Sequence, residues 1–282
     1  MNIFNVIQEI EKVDPEVFDR LDARRSVFKH FAGFSKKLVA TAVPLAFGSF
    51  LNKAYAQTGS NAAIVDVLNY ALTLEYLEAE FYKQAAAAAP AVGAPAAAQG
   101  ALALIRDHEV AHVAFLRQAI TSLQGTPVMF TAANFDYTAG GAFADVFTNY
   151  GTMLAVAQAF EDTGVRAYKG QAGNLVANNT ILTAALQIHS VEARHAAHIR
   201  RMRRDTPAIM ASVKPWITGK DRGGLPAATQ PIYDGEELTT QATVNIIMNA
   251  GGININADSA SEAFDEPLTK DQVLAIVDPF IR

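Results

Sequence analysis

Two Glu-x-x-His pairs stand out in the chain, Glu109-Val110-Ala111-His112 and Glu192-Ala193-Arg194-His195. If each pair lies on a helix, a spacing of three puts its carboxylate and imidazole on one face. Two more glutamates, Glu75 and Glu161, are each followed seven residues later by a tyrosine, Tyr82 and Tyr168. Glu75 is nearly as far from Glu109 as Glu161 is from Glu192, so the two halves repeat each other. Four carboxylates and two imidazoles brought together would bind two divalent ions, because hard oxygen anions neutralise the charge and neutral imidazoles complete the shell. With thirteen glutamates and six histidines in 282 residues, a Glu-x-x-His is expected about 0.3 times by chance. The surroundings sharpen the pattern: between Phe81 and Gly235 the only glutamates are Glu109, Glu161 and Glu192, and five of the six histidines fall near the two pairs.

Four helices must position these residues. Ser60 to Ala89 is apolar at helical spacing and rich in strong helix formers, and is broken by Pro90, Gly93 and Pro95. A second helix is predicted from about Ala96 to Leu123, stopped by Gly125 and Pro127. Thr126 to Gly141 reads as a long irregular connection, and a third helix is expected from about Ala142 to Gly170. A Gly173-Asn174 turn then leads to a fourth, ending near Arg204 ahead of Pro207. Short turns make each pair antiparallel, while the long middle connection can run from one end of the bundle to the other. That all-α arrangement, four helices with one long crossover between the second and third, is the ferritin-like bundle. After Pro207 the chain is rich in proline and glycine, including Gly251-Gly252, and regains helical periodicity only at Thr269 to Val277. This reads as an extended, loop-rich tail free to wrap its own bundle or to join copies into a homo-oligomer.

Composition narrows the chemistry. Half of the residues are hydrophobic and 18% are charged, as in an ordinary folded protein. Cysteine is absent, which excludes disulfides, thiolate zinc sites, cysteine-ligated clusters and a cysteine nucleophile. A net charge of -5 without a long basic stripe argues against nucleic acid as a partner. No run reaches the ~18 uninterrupted apolar residues of a spanning helix.

Residues 1–56 read as an address. Arg24-Arg25-Ser26-Val27-Phe28-Lys29 resembles a twin-arginine export signal. Lys36-Lys37 then precede the apolar run Leu38 to Leu51, and Ala54-Tyr55-Ala56 has the small-residue pattern of a cleavage site. Pro44 and Gly48 make the run too short and too broken for an anchor. The expectation is cleavage before Gln57, a periplasmic or otherwise extracytoplasmic location, and domains of 1–56, 57–206 and 207–282. The competing reading makes the leader a first amphipathic helix of the fold.

The segments Leu74 to Tyr82, Ile105 to Leu116, Phe160 to Tyr168 and Ile188 to Arg200 resemble the bacterial ferritin-like domain proteins related to desiccation-associated proteins. The resemblance covers about Asn61 to Arg204, with a weaker match over Phe264 to Phe280. It implies a ferritin-like fold and a dinuclear iron or manganese site, with two ions per chain. Ferritins, rubrerythrins and manganese catalases are wider relatives, and without cysteine this chain cannot build the rubredoxin-like donor of rubrerythrins.

On this reading Glu75, Glu109, His112, Glu161, Glu192 and His195 are the metal ligands. Glu109 and Glu192 are the catalytic candidates, as bridging or proton-handling groups; Glu192 could equally be a proton acceptor beside the ions, as in the manganese catalases. Glu78 could share the inward face with Glu75, although the tyrosine spacing favours Glu75. Tyr82 and Tyr168 could hydrogen-bond a carboxylate or relay an electron, with simple packing as the alternative. Asp107 and Asp162 could bond the outer nitrogen of a ligand histidine. His108, His189 and His198 are expected to turn away from the axis toward solvent or tail. The run Arg200-Arg201-Met202-Arg203-Arg204 is read as cations at a helix C-terminus rather than as an anion patch.

The function expected is that of a dimetal oxidoreductase acting on hydrogen peroxide or dioxygen, disproportionating peroxide or oxidising ferrous iron, in oxidative or desiccation stress. A metal-stapled structural or stress-protective protein is the alternative. An iron-storage shell fits less well beside a bulky tail.

Overall fold

The computed structural model describes residues 61–206, 213–241, 244–247 and 255–282. The export-signal reading, Pro207 and Gly251-Gly252 lie outside them. Four long helices form the body: α1 (Asn61–Ala88), α2 (Ala96–Ser122), α3 (Tyr150–Ala172) and α4 (Asn179–Arg204). At ~1.5 Å per residue each spans roughly 35–42 Å. Between α1 and α2, Gly93 turns the chain with φ of +74°, a conformation that costs other residues their Cβ clearance. The start of α4 is capped by the Asn178 side chain, which accepts from the Ile181 amide.

Helix α3 begins at Tyr150, eight residues later than its periodicity suggested. Ala139, Gly140 and Gly141 all take positive φ, and turns continue to Thr148. The Asn149 side chain then accepts from the Gly151 and Thr152 amides, supplying the cap that fixes the start.

Helix α1 packs along α2, and α3 along α4, with α1 meeting α3 and α2 meeting α4. The crossover follows α1 from one end to the other. Asn69 holds its beginning through the Thr126 carbonyl and the Val128 amide. Further on, the Tyr137 hydroxyl donates to the Leu77 carbonyl, and Phe147 stacks 5.7 Å from Phe81. Phe81 is fully buried and also lies 5.2 Å from both Tyr82 and Phe160, which makes it the aromatic centre between α1 and α3.

The tail lies against the bundle that precedes it. It contains β1 (Thr240–Gln241) paired antiparallel with β2 (Val244–Asn245), α5 (Ala257–Ser261) and α6 (Lys270–Val277). Thr269 and Gln272 cap α6 reciprocally. Buried arginines attach the tail. Arg166 of α3 donates to the carbonyls of Ile232, Asp234 and Glu266 and pairs with Glu236 at 2.6 Å. Arg200 of α4 forks onto Asp162 of α3, and its other arm reaches the Trp216 carbonyl at 3.2 Å. Arg203 donates to Gln158 and to the Gly223 carbonyl, while the buried Tyr233 hydroxyl donates to Asp162 at 2.6 Å. The arginine run is therefore not a plain helix-end charge. Arg200 and Arg203 point inward and hold the tail, leaving Arg201 and Arg204 at the surface beside Asp205.

The closest approach is at Gly170, where the Leu268 carbonyl oxygen sits 1.9 Å from the position a Cβ would take. The neighbouring Leu268 amide donates to the Arg166 carbonyl. Alanine at 170 gains ~1 kcal/mol of helix propensity, but the backbone clash must push the tail away, and overpacking of this kind costs ~1–3 kcal/mol or more. Gly170→Ala is expected to lower the melting temperature by several degrees. Limited proteolysis should cut first within residues 255–282; an unchanged melt and digestion pattern would contradict the packing.

Candidate metal centre

Each long helix brings at least one carboxylate to the middle of the bundle, and Glu75, Glu109, Glu161 and Glu192 are all 0% exposed. His112 and His195 close the group from α2 and α4. The His112 Nδ1 atom lies 3.1 Å from Glu75 Oε2, 3.0 Å from Glu109 Oε2 and 3.3 Å from Glu192 Oε1. The His195 Nδ1 atom lies 2.9 Å from Glu109 Oε1 and 3.4 Å from Glu161 Oε2. Glu109 thus offers one oxygen to each imidazole. The donor atoms form two overlapping clusters, Glu75, Glu109, His112, Glu192 and Glu109, Glu161, Glu192, His195, each gathered within 4.8 Å. Glu109 and Glu192 belong to both.

The tyrosines close the site crosswise. Tyr82 on α1 donates to Glu161 Oε1 of α3 at 2.5 Å, and Tyr168 on α3 donates to Glu75 Oε1 of α1. Each terminal carboxylate therefore has one oxygen fixed by a phenol and the other facing an imidazole. The repeat seen in the sequence is a twofold arrangement in space.

These residues fit a pair of cations. Glu109 Oε1, Glu161 Oε2, both Glu192 oxygens and His195 Nδ1 are buried and make no hydrogen bond. His195 Nδ1 and Glu109 Oε1 nevertheless approach to 2.9 Å. Carboxylate and imidazole donor atoms converging in an interior where unpaired polar atoms cost free energy are what a cation would satisfy. Four ionised carboxylates would balance two divalent ions, and neither iron nor manganese is favoured by the donor set.

Charge repulsion and burial shape the metal-free protonation. Burial pushes Glu75 up to about 7, against the pull of His112. Burial, followed by the charge of neighbouring carboxylates, raises Glu192 well above the usual carboxylate range. Burial acts on Glu109 too, but the hydrogen bond from His112 and the nearby His195 hold it below that range. For His195, burial is outweighed by Glu161 and Glu109, and its proton is held up to about 11.

Some expected neighbours lie elsewhere. Asp107 is exposed and pairs with Arg106, because its position on α2 faces outward, so it cannot support a ligand histidine. Asp162 is buried but turns from the histidines to Arg200 and Tyr233, where a guanidinium offers a stronger, forked partner. His198 is exposed and His189 faces the tail near Asp265, as anticipated.

His108 departs from expectation. Its Nδ1 lies 2.9 Å from His195 Nε2, the rings 14° from parallel. If His195 offers Nδ1 to an ion, its Nε2 proton has an acceptor in His108, which sets the tautomer. The contact crosses from α2 to α4, and periodicity along one helix carries no signal for it.

An ion must displace protons that the metal-free site holds. Below about pH 7 Glu75 is protonated, and His195 remains protonated to about pH 11, so metal affinity is expected to rise from pH 5 to pH 8 with net proton release. Calorimetry of manganese(II) binding in buffers of different ionisation enthalpy measures this; uptake independent of pH would contradict it.

No curated protein matches the chain. A family model described as a ferritin-like domain matches residues 63–205, just over half of the chain and all of the carboxylate and imidazole positions above. Fold, site and match agree, and the chain belongs to the ferritin-like domain family.

Proposed function

We propose that the protein is a dinuclear iron or manganese carboxylate oxidoreductase acting on peroxide or dioxygen, with two ions per chain. The observation that carries this reading is the pair of overlapping donor clusters sharing Glu109 and Glu192. Bound iron or manganese supplies Lewis acidity and reversible electron transfer toward an oxygen substrate. Glu75 and Glu161, each anchored by a tyrosine, fix the ends of the site. Glu109 spans its middle, and Glu192, with both oxygens free of hydrogen bonds, is the group with capacity to take up or release a proton. Among the six candidate ligands only His112 and His195, at 8% and 5% exposure, reach the surface, and this narrow access suits a small-molecule substrate.

A second reading draws on the same burial. Four helices each lend a ligand, so ions would staple the bundle and add folding energy without turnover. Elemental analysis of the purified protein, followed by a peroxide-consumption assay on the same sample, separates the two. Near two iron or manganese ions with turnover supports the oxidoreductase; two ions without turnover supports the staple. Glu109→Ala removes an oxygen from both clusters and is expected to abolish ion binding and turnover together. Retained turnover would overturn the assignment.

The role in oxidative or desiccation stress, and an extracytoplasmic location, belong to the same proposal. Arg24-Arg25 and the following apolar run support export. An intact mass from the cell envelope beginning at Gln57 is the expected result.

A further inference from the structure

The two halves of the centre match at every ligand and differ one helical turn beyond the terminal carboxylates. Three residues after Glu75 comes Glu78; three residues after Glu161 comes Gly164. These two positions meet in space. A Cβ placed on Gly164 would lie 3.2 Å from Glu78 Oε1 and 3.1 Å from Glu192 Oε2. The carboxylates thus converge over a helix surface that has no side chain. Glu78 is 3% exposed and Glu192 0%. Glu192 Oε2 makes no hydrogen bond among the described residues, and it is the oxygen other than the one nearest His112. The fifth carboxylate therefore rises from the helix that carries Glu75 and reaches across to α3, one turn beyond Glu161, beside Glu192.

We infer that Glu78 is a further residue of the metal centre, admitted beside Glu192 by the missing side chain of Gly164, and that it strengthens the hold on the divalent ion at the Glu109, Glu161, Glu192 and His195 position. The reason is electrostatic. An extra negative charge in a buried interior would act with little screening, and most strongly on a cation held by the carboxylate beside it. Gly164 makes this possible, since any larger residue there would occupy the space the two carboxylates share. The ligand repeat is symmetric, and this pair of residues makes its two positions unequal.

The inference rests on the dinuclear reading, and the test separates the two. The full chain, freed of metal, is titrated with manganese(II) by calorimetry, and ions retained after desalting are counted by elemental analysis. The wild type is expected to bind two ions in two distinguishable steps. Glu78→Gln keeps the shape and removes the charge, and it should weaken one step about 10-fold or more, the size of effect seen for groups supporting metal ligands, while leaving the other step in place. Gly164→Ala, which favours the helix, should weaken the same step by displacing the carboxylates. Glu80→Gln, on the same helix but paired with Lys83 at the surface, should change neither. Helical circular dichroism on each variant shows that the bundle is intact. Wild-type affinities at both steps in Glu78→Gln and Gly164→Ala would overturn the role of Glu78 while leaving the dinuclear reading in place. A wild type that binds no manganese would overturn both.

Discussion

Placing several carboxylates together without water is the constraint on which the rest of this structure depends. Each would keep its charge only at a large desolvation cost, and each also raises the cost for its neighbours. The fold answers with groups drawn from every long helix: two imidazoles, two phenols and an interior arranged so that oxygen lone pairs meet. Such a cluster cannot be satisfied by one helical hairpin. Glu75 needs Tyr168, Glu161 needs Tyr82, and Glu109 faces imidazoles from both hairpins, so the site and the association of α1–α2 with α3–α4 are the same event.

A second polar layer lies between α3, α4 and the tail, and it solves a different problem. Asp162, Arg200, Arg203, Arg166, Tyr233 and Glu236 are buried, yet each has a charged or carbonyl partner. Breaking a buried pair of this kind by removing one member costs ~3–5 kcal/mol, far more than the pair contributes over an apolar substitute. The layer therefore acts mainly on specificity of docking: the tail can sit in one register, because only that register places carbonyls in front of the guanidinium groups. This layer adjoins the carboxylate cluster, since Glu161 and Asp162 are consecutive on α3 and, about 100° apart around the helix, meet Tyr82 and Arg200 respectively.

The sequence carried the four helices and the residues of the buried carboxylate and imidazole cluster because both obey short-range rules, helical periodicity and a spacing of three. It also carried the crosswise tyrosines, as a repeat whose geometric meaning appears only in space. What it did not carry depends on contacts between distant segments. Asp162 and Asp107 look alike beside the ligands, and only packing shows that one meets Arg200 while the other meets solvent. The arginine run looked like helix-end charge because its partners are distant: side chains of α3 and backbone carbonyls of the tail, neither of which has a local sequence signature. The late start of α3 had a local cause in Asn149, but the apolar pattern upstream of it, including the buried Val146, resembles a helix face.

Arg166 has a consequence for how the chain is made. Its guanidinium is buried against partners 66 to 100 residues further along, at Ile232, Asp234 and Glu266. On a ribosome, α3 emerges long before those carbonyls exist, and until they arrive the outer face of α3 must stay hydrated. The bundle can gather its buried carboxylates during synthesis, but this face cannot be sealed until residue 266 has left the exit tunnel. Closure of the outer face of α3 is thereby tied to synthesis of the tail, a hundred residues after the helix that it covers.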